Sequence, residues 1–183
     1  MLIDVGYSST SVSIAKGEGV LQLRSFSLGG AHIAADICEA FGVSPDSAFE
    51  AKKLVDVNRK YASEDMLVYE GDVGVQACVV SDIVKYRWDM LADMFERILD
   101  EHADDAPSYM PIYLTGEGIS DMRGVKQYLS NRLNRPIEIL TPRLTGFTRA
   151  EDSTKAALLL VADTLLEDSV GAQIRKLLLW RKS

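Results

Sequence analysis

The chain has 183 residues and a formal net charge of −7, enough for one compact domain or two small lobes sharing a core. The acidic balance opposes nonspecific nucleic-acid binding as the main role, although a local basic patch stays open. No segment approaches the ~20 continuous apolar residues of a membrane span and no basic-then-apolar signal opens the chain, so the default compartment is the cytoplasm. Cys38 and Cys78 are far apart and lack a Cys-x-x-Cys partner, which reads as reduced core thiols, and His32 and His102 are too few for a zinc cluster.

Residues Leu2 to Ile14 set the frame. An apolar run ends in Asp4-Val5-Gly6, a hydroxyl-rich turn follows from Tyr7 to Thr10, and Ser11 to Ile14 alternate with the period of a half-buried strand. Gly6 lets the backbone approach a ligand, and the amides and hydroxyls of the turn suit an anion-binding concavity beside which Asp4 would hold a divalent cation or orient a water. An ordinary hairpin with a polar turn explains the same residues. Val20 to Ser27 reads as a third meandering strand.

Gly29-Gly30 then breaks the sheet pattern, either as a turn or as a second close approach of backbone to ligand. Ile33, Ala34, Ile37, Ala40 and Phe41 recur at helical spacing until Gly42. Ser44-Pro45 opens a helix running through Lys52 to Leu54. After a charged loop, strands 66–69 and 75–80 are expected around a turn at 70–74. A long helix follows, because Val84, Trp88, Leu91, Phe95 and Ile98 form one stripe. Pro111 to Thr115 reads as a buried strand running into Gly116-Glu117-Gly118, then a helix from Asp121 through Leu133, a strand 137–140 and a loop 141–149. Asp152 or Ser153 caps a last packed helix through Ala156, Leu159, Leu160 and Leu166. The spacing G-x-G-x-x-D is not a Rossmann fingerprint, and no phosphate loop of the G-x-x-x-x-G-K-[ST] type occurs.

Three strands, a helix, a small inserted lobe and then strand, helix, strand and helix make an α/β, ribonuclease H-like arrangement. The expected division is a core lobe of 1–43 plus 107–169, an inserted α+β lobe of 44–106 and a tail of 170–183. Asp4-Val5-Gly6-Tyr7-Ser8-Ser9-Thr10-Ser11-Val12 resembles the second phosphate loop of the actin-like ATPases. Residues Leu28 to Ile37 are similar to the L-G-G-x-x-I-T-x-D-I stretch of the bacterial cell-division protein FtsA, and Leu114-Thr115-Gly116-Glu117-Gly118 with Gly124 to the adenosine motif. In this order the three resemble the second half of an actin-like ATPase of the FtsA and PilM type.

That resemblance implies a site for ATP and Mg2+, with Asp4 near the metal and attacking water. Gly6, Ser8, Ser9 and Thr10 would face the phosphates, with Gly30 close by. Lys52 would reach the base or ribose, and Gly116 and Gly118 the adenosine. It implies the missing first half of the fold as a partner in the parent chain, self-association into filaments, and cell-division proteins such as FtsZ. A place at the inner face of the membrane also follows, and no nucleic acid is expected. The family pattern is broken where Tyr7 and Ser8 replace glycines, and where Glu117 puts negative charge beside a polyanion. With only half of the nucleotide clamp, the chain by itself is expected to hydrolyse nothing.

Two other readings use the same residues. A non-catalytic PilM-like scaffold fits the substitutions at Tyr7, Ser8 and Glu117. A two-metal nuclease would need Asp4, Glu117 and Asp152 to converge. In the tail, Val170, Ile174, Leu177, Leu178 and Trp180 share one helical side, with Arg175, Lys176 and Lys182 off it, which suits either a basic membrane-surface helix or a last core helix.

Overall fold

The computed structural model describes residues 1–17, 19–68, 74–119 and 122–165. Period-2 alternation does what the sequence predicts: strands β1 (Leu2–Val5) and β2 (Thr10–Lys16) turn Ile3, Val5, Val12 and Ile14 inward, each at most 2 % exposed. Strand β3 (Gly19–Phe26) pairs antiparallel to β2, with a register shift at Ile14/Ala15. Later, β6 (Ile112–Thr115) and β7 (Ile137–Ile139) lie parallel to β1, giving the sheet order β3-β2-β1-β6-β7. That is the ribonuclease H-like order expected from the succession of elements.

Helices cover the inner face of this sheet. Helix α1 (Gly30–Phe41) buries Ile33, Ala34 and Ile37 and stops at Gly42, whose amide donates to the Cys38 carbonyl. Helix α2 (Pro45–Leu54) starts as expected, with the Ser44 hydroxyl accepting from the Ser47 amide at 3.2 Å and proline at the first turn. A small hairpin of β4 (Met66–Val68) and β5 (Gly74–Gln76) follows, and the turn between them lies outside the described residues.

The expected strand 75–80 is corrected here: β5 ends at Gln76, and helix α3 (Ala77–Glu101) has already begun. A short apolar run such as Cys78 to Val80 fits strand or buried helix equally, and long-range packing decides. Val80 joins Val84, Trp88, Leu91, Phe95 and Ile98 on one buried stripe, so the helical period wins. Polar contacts then tie α3 to its neighbours. Arg87 grips both carboxylate oxygens of Asp36 on α1, and Arg132 on helix α4 (Val125–Leu133) meets Asp93 and Glu96. The Tyr128 hydroxyl donates to Asp89 at 2.8 Å, and burial together with this bond pushes its pKa up to about 12.

The last helix is also corrected. Residues 153–165 are helical (α5), but only Ala156 is buried, and Leu158, Leu159, Leu160, Val161 and Leu165 are all more than half exposed. Four consecutive apolar residues, 158–161, run round the whole circumference and cannot all meet one domain face. Asp121 and the tail 170–183 lie outside the described residues.

Two fully enclosed polar atoms on the core side of α3, Ser81 Oγ and Trp88 Nε1, have no hydrogen-bond partner. An unsatisfied buried hydroxyl costs on the order of 1–3 kcal/mol, and alanine is the better helix former. Ser81→Ala is therefore expected to stabilise the chain by about 1 kcal/mol, read as a raised urea midpoint with an unchanged slope. A lower midpoint would show that the hydroxyl is satisfied in solution.

Candidate functional site

The site begins where the first hairpin turns. The Gly6 amide donates to the Ser9 carbonyl at 2.8 Å, which closes the turn, and Tyr7, Ser8 and Ser9 stand exposed at its tip. Helix α1 arrives directly against it: the amides of Gly30 and Ala31 donate to the carbonyls of Gly6 and Tyr7 at 3.0 and 2.8 Å. These are first-turn amides that a helix leaves without intrahelical partners, and here the hairpin itself takes them. A Cβ at Gly29 would lie 2.6 Å from both of those carbonyl oxygens. The glycine pair thus serves backbone-to-backbone contact before it serves any ligand.

Thr10 does not take the place expected for it. It is fully buried, and its hydroxyl donates to the Leu28 carbonyl at 2.7 Å, tying the base of the hairpin to the segment before α1. The hydroxyls left to face a ligand are those of Ser8 and Ser9.

Strand β6 brings in the third stretch. Because β1 and β6 are parallel neighbours in the register Asp4 to Thr115, Gly116 and Gly118 emerge at the same end of the sheet as Gly6. Gly116 has φ +106°, and a Cβ there would lie 2.3 Å from Asp4 Oδ1; one at Gly118 would lie 2.7 Å from the Gly6 carbonyl oxygen. The carboxyl ends of parallel strands are where open α/β sheets place ligands. Asp4 Oδ1 is enclosed there without a hydrogen-bond partner, and burial holds its carboxyl above the usual carboxylate range. A carboxylate in that state suits a cation or a donor brought by a ligand.

Lys52 approaches from α2 on the other side. It is 3 % exposed, and its Nζ would stand 3.2 Å from a Cβ at Gly30. The Lys52 ammonium lies 5.0 Å from the ring centre of Phe49, and that ring stacks on Tyr7 with centroids 5.8 Å apart and planes 19° apart. Burial first, and the charge of Lys53 second, lower the Lys52 pKa to about 8, against the opposing pull of Glu117. Together Tyr7, Gly30, Phe49, Lys52, Glu117 and Gly118 line a cavity of about 150 Å³. Next to it, and sharing Lys53, runs an open groove of about 910 Å³ between α2, the turn Glu117–Ile119 and the start of α4. Leu54, Ile119 and Met122 supply apolar wall, and Arg123 and Lys126 supply charge.

Sequence reasoning missed two parts of this arrangement. Phe49 sits on a helix whose pattern shows only a buried face, and nothing local says that its ring meets Tyr7, 42 positions earlier. The loop at Asp56–Asn58 docks on the start of α4, with the Asn58 side-chain amide donating to the Gly124 carbonyl at 2.8 Å. A polar loop gives no local signal of where it lands. The nuclease geometry is not formed: among the described residues, no three His, Cys, Asp or Glu side chains gather where they could hold a metal ion. Asp152 instead faces Lys155 and the Arg149 amide.

The lowered pKa of Lys52 gives a measurable consequence. Its folded value of about 8 lies below the ordinary lysine value of 10.5. Between those values the unfolded chain binds more protons, so stability rises as pH rises from 8 to 10.5, by up to about 3 kcal/mol. Urea titrations across that window are expected to show the rise, and Lys52→Met is expected to remove it while raising stability at pH 7. The same slope in both chains would mean that Lys52 keeps its solvent in the folded protein.

Comparison with known proteins identifies the fold and the family. No curated protein matches the chain. Among solved structures it is similar to MreB5 of Spiroplasma citri bound to AMPPNP, with 17 % identity and TM-score 0.71, covering 93 % of this chain and 54 % of that one. It is also similar to the PilM-PilN type IV pilus biogenesis complex, with 21 % identity and TM-score 0.57, covering 77 % and 35 %, and to the MamK double helical filament, with 19 % identity and TM-score 0.54, covering 77 % and 49 %. The chain thus spans a third to little more than half of these proteins, and at such identities the likeness shows the fold, that of an actin-like ATPase domain. The family model for the cell division protein FtsA matches residues 1–159. This chain belongs to the FtsA family.

Proposed function

We propose that the chain is the nucleotide-facing second half of an FtsA-like actin-family ATPase acting in bacterial cell division and septum assembly. The observation that carries the reading is the meeting of three glycine-bearing stretches, Gly6, Gly29-Gly30 and Gly116 to Gly118, around the enclosed, unpartnered Oδ1 of Asp4 at the carboxyl ends of β1 and β6. In this reading the adenosine of ATP lies in the groove between α2 and α4, with its phosphates toward Gly6, Ser8 and Ser9 and with Lys52, Gly116 and Gly118 alongside. Magnesium is commonly held by one or two carboxylates plus the phosphates of its nucleotide, and a single orphaned carboxylate at Asp4 fits that donor set. When bound, the ion would offset phosphate charge beside Glu117.

The exposed leucines of α5 fit a face that meets further protein, either the first half of the fold or another copy in a filament. One structural neighbour, MamK, forms a double helical filament, and filament formation is part of this proposal. Contacts with FtsZ and with the inner face of the membrane, the latter through residues 170–183, belong to the same reading. Among the described residues, no helix is long and apolar enough to cross a membrane.

A second reading, a non-catalytic scaffold of the PilM kind, is favoured by one observation: Tyr7 and Phe49 close over the phosphate end of the site. Calorimetric titration with Mg-ATP separates the two. Weak binding that falls at least tenfold on Asp4→Ala supports the nucleotide site, and binding unchanged by that substitution removes it. The chain alone is expected to show no ATP turnover in either case, because a single lobe cannot clamp the transferred phosphoryl group from both sides. Turnover lost on Asp4→Ala would overturn the half-site assignment.

A further inference from the structure

We propose that Tyr7 and Phe49 are the specificity-determining pair of this site: their stack shuts its phosphate end and seats Lys52 beneath it as an internal cation, so that a polyphosphate ligand enters only when Tyr7 swings away. The ligand's identity rests on the nucleotide reading above; the closure itself does not.

The two rings come from different elements. Tyr7 belongs to the tip of the β1–β2 hairpin and Phe49 to the second turn of α2, and their 5.8 Å, 19° stack bridges the gap between those elements. What remains behind the stack is the cavity of about 150 Å³, well under the several hundred Å³ of ordinary ligand pockets. The open groove beside it has room for a nucleoside, so the restriction falls on the phosphate end alone.

Charge inside the closed end is already balanced. The buried Lys52 ammonium faces the Phe49 ring at 5.0 Å and is drawn by Glu117. An arriving polyphosphate would meet Asp4 and Glu117 as like charges, while the buried Lys52 ammonium is turned toward an aromatic face. Swinging Tyr7 out would leave the contact of Lys52 with Phe49 in place and open a path from the groove to the Ser8 and Ser9 hydroxyls. The movement needs no change in the sheet: Tyr7 is 53 % exposed and Phe49 is only partly buried. A stack of this kind is marginal, since an aromatic pair holds a closed state by at most about a tenfold population ratio.

The test uses the whole chain with two independent readouts. Lys52 acetylation by acetic anhydride, followed by peptide mass spectrometry, reads the closure without any nucleotide. Calorimetry with Mg-ATP reads the consequence. Tyr7→Ala and Phe49→Leu are expected to raise Lys52 labelling and to tighten Mg-ATP binding about tenfold, while Tyr7→Phe, which keeps the stack, leaves both as they are. Raised labelling in Tyr7→Ala with no ATP binding to any variant upholds the closure and removes the nucleotide reading. Unchanged Lys52 labelling in both Tyr7→Ala and Phe49→Leu overturns the proposal. So does Mg-ATP binding that is equally tight in the unaltered chain and in Tyr7→Ala.

Discussion

The constraint on which this structure depends is the close approach of three backbone segments with no side chain between them. The hairpin carbonyls of Gly6 and Tyr7 accept the first free amides of α1, and Gly118 packs its backbone against Gly6 and Gly30. A single Cβ at Gly29, Gly116 or Gly118 would lie under 3 Å from main-chain atoms that cannot move aside. Overpacking of this sort costs about 1–3 kcal/mol even where flexible side chains absorb it, and rigid backbone absorbs less. The glycines therefore hold the sheet, α1 and the β6 turn in one relative position, and the site is a consequence of that contact.

A site built this way has little free space at its centre. What openness exists lies to the sides, in the groove bounded by α2 and α4, whose walls are supplied by elements far apart in the chain. Polar links define those walls: Asn58 to the Gly124 carbonyl on one side, and Thr115 to the Leu140 carbonyl at 2.8 Å on the other. The Thr115 hydroxyl also meets Ser153, which fixes where α5 leaves the domain. Because α5 buries only Ala156 among the described residues, the domain gains little from it, and its apolar surface stands exposed.

The electrostatics follow from the same packing. In a chain with a net charge of −7, the ion pairs between helices lie along α3, where its own Arg87 meets Asp36 of α1 and Arg132 of α4 meets its Asp93 and Glu96. Exposed pairs of this kind contribute little individually. Two groups carry more consequence: the half-buried Asp4 with its enclosed Oδ1 unpartnered, and the buried Lys52 held against an aromatic ring. Both stand beside the glycine junction, Asp4 Oδ1 against Gly116 and Lys52 Nζ against Gly30. Burial disfavours the charged form of each, raising one pKa and lowering the other.

The sequence by itself determined the elements whose signals are local. Alternation in Leu2–Val5 and Thr10–Lys16, the Ser44-Pro45 start, the Gly42 stop and the long apolar stripe of α3 each depend on neighbours within a few residues, and each was legible. The order of glycine-bearing motifs was legible too, and with it the strand order and the family. Tertiary structure decided what periodicity leaves open. Cys78 to Val80 became helix because the α3 stripe captured Val80, Thr10 turned inward to the Leu28 carbonyl, and α5 projected because its apolar residues encircle it. The pairing of Tyr7 with Phe49 and the burial of Lys52 were likewise beyond local reading. Side chains that meet across 40 or more positions are brought together by the packing of whole elements, and no spacing within either segment records that meeting.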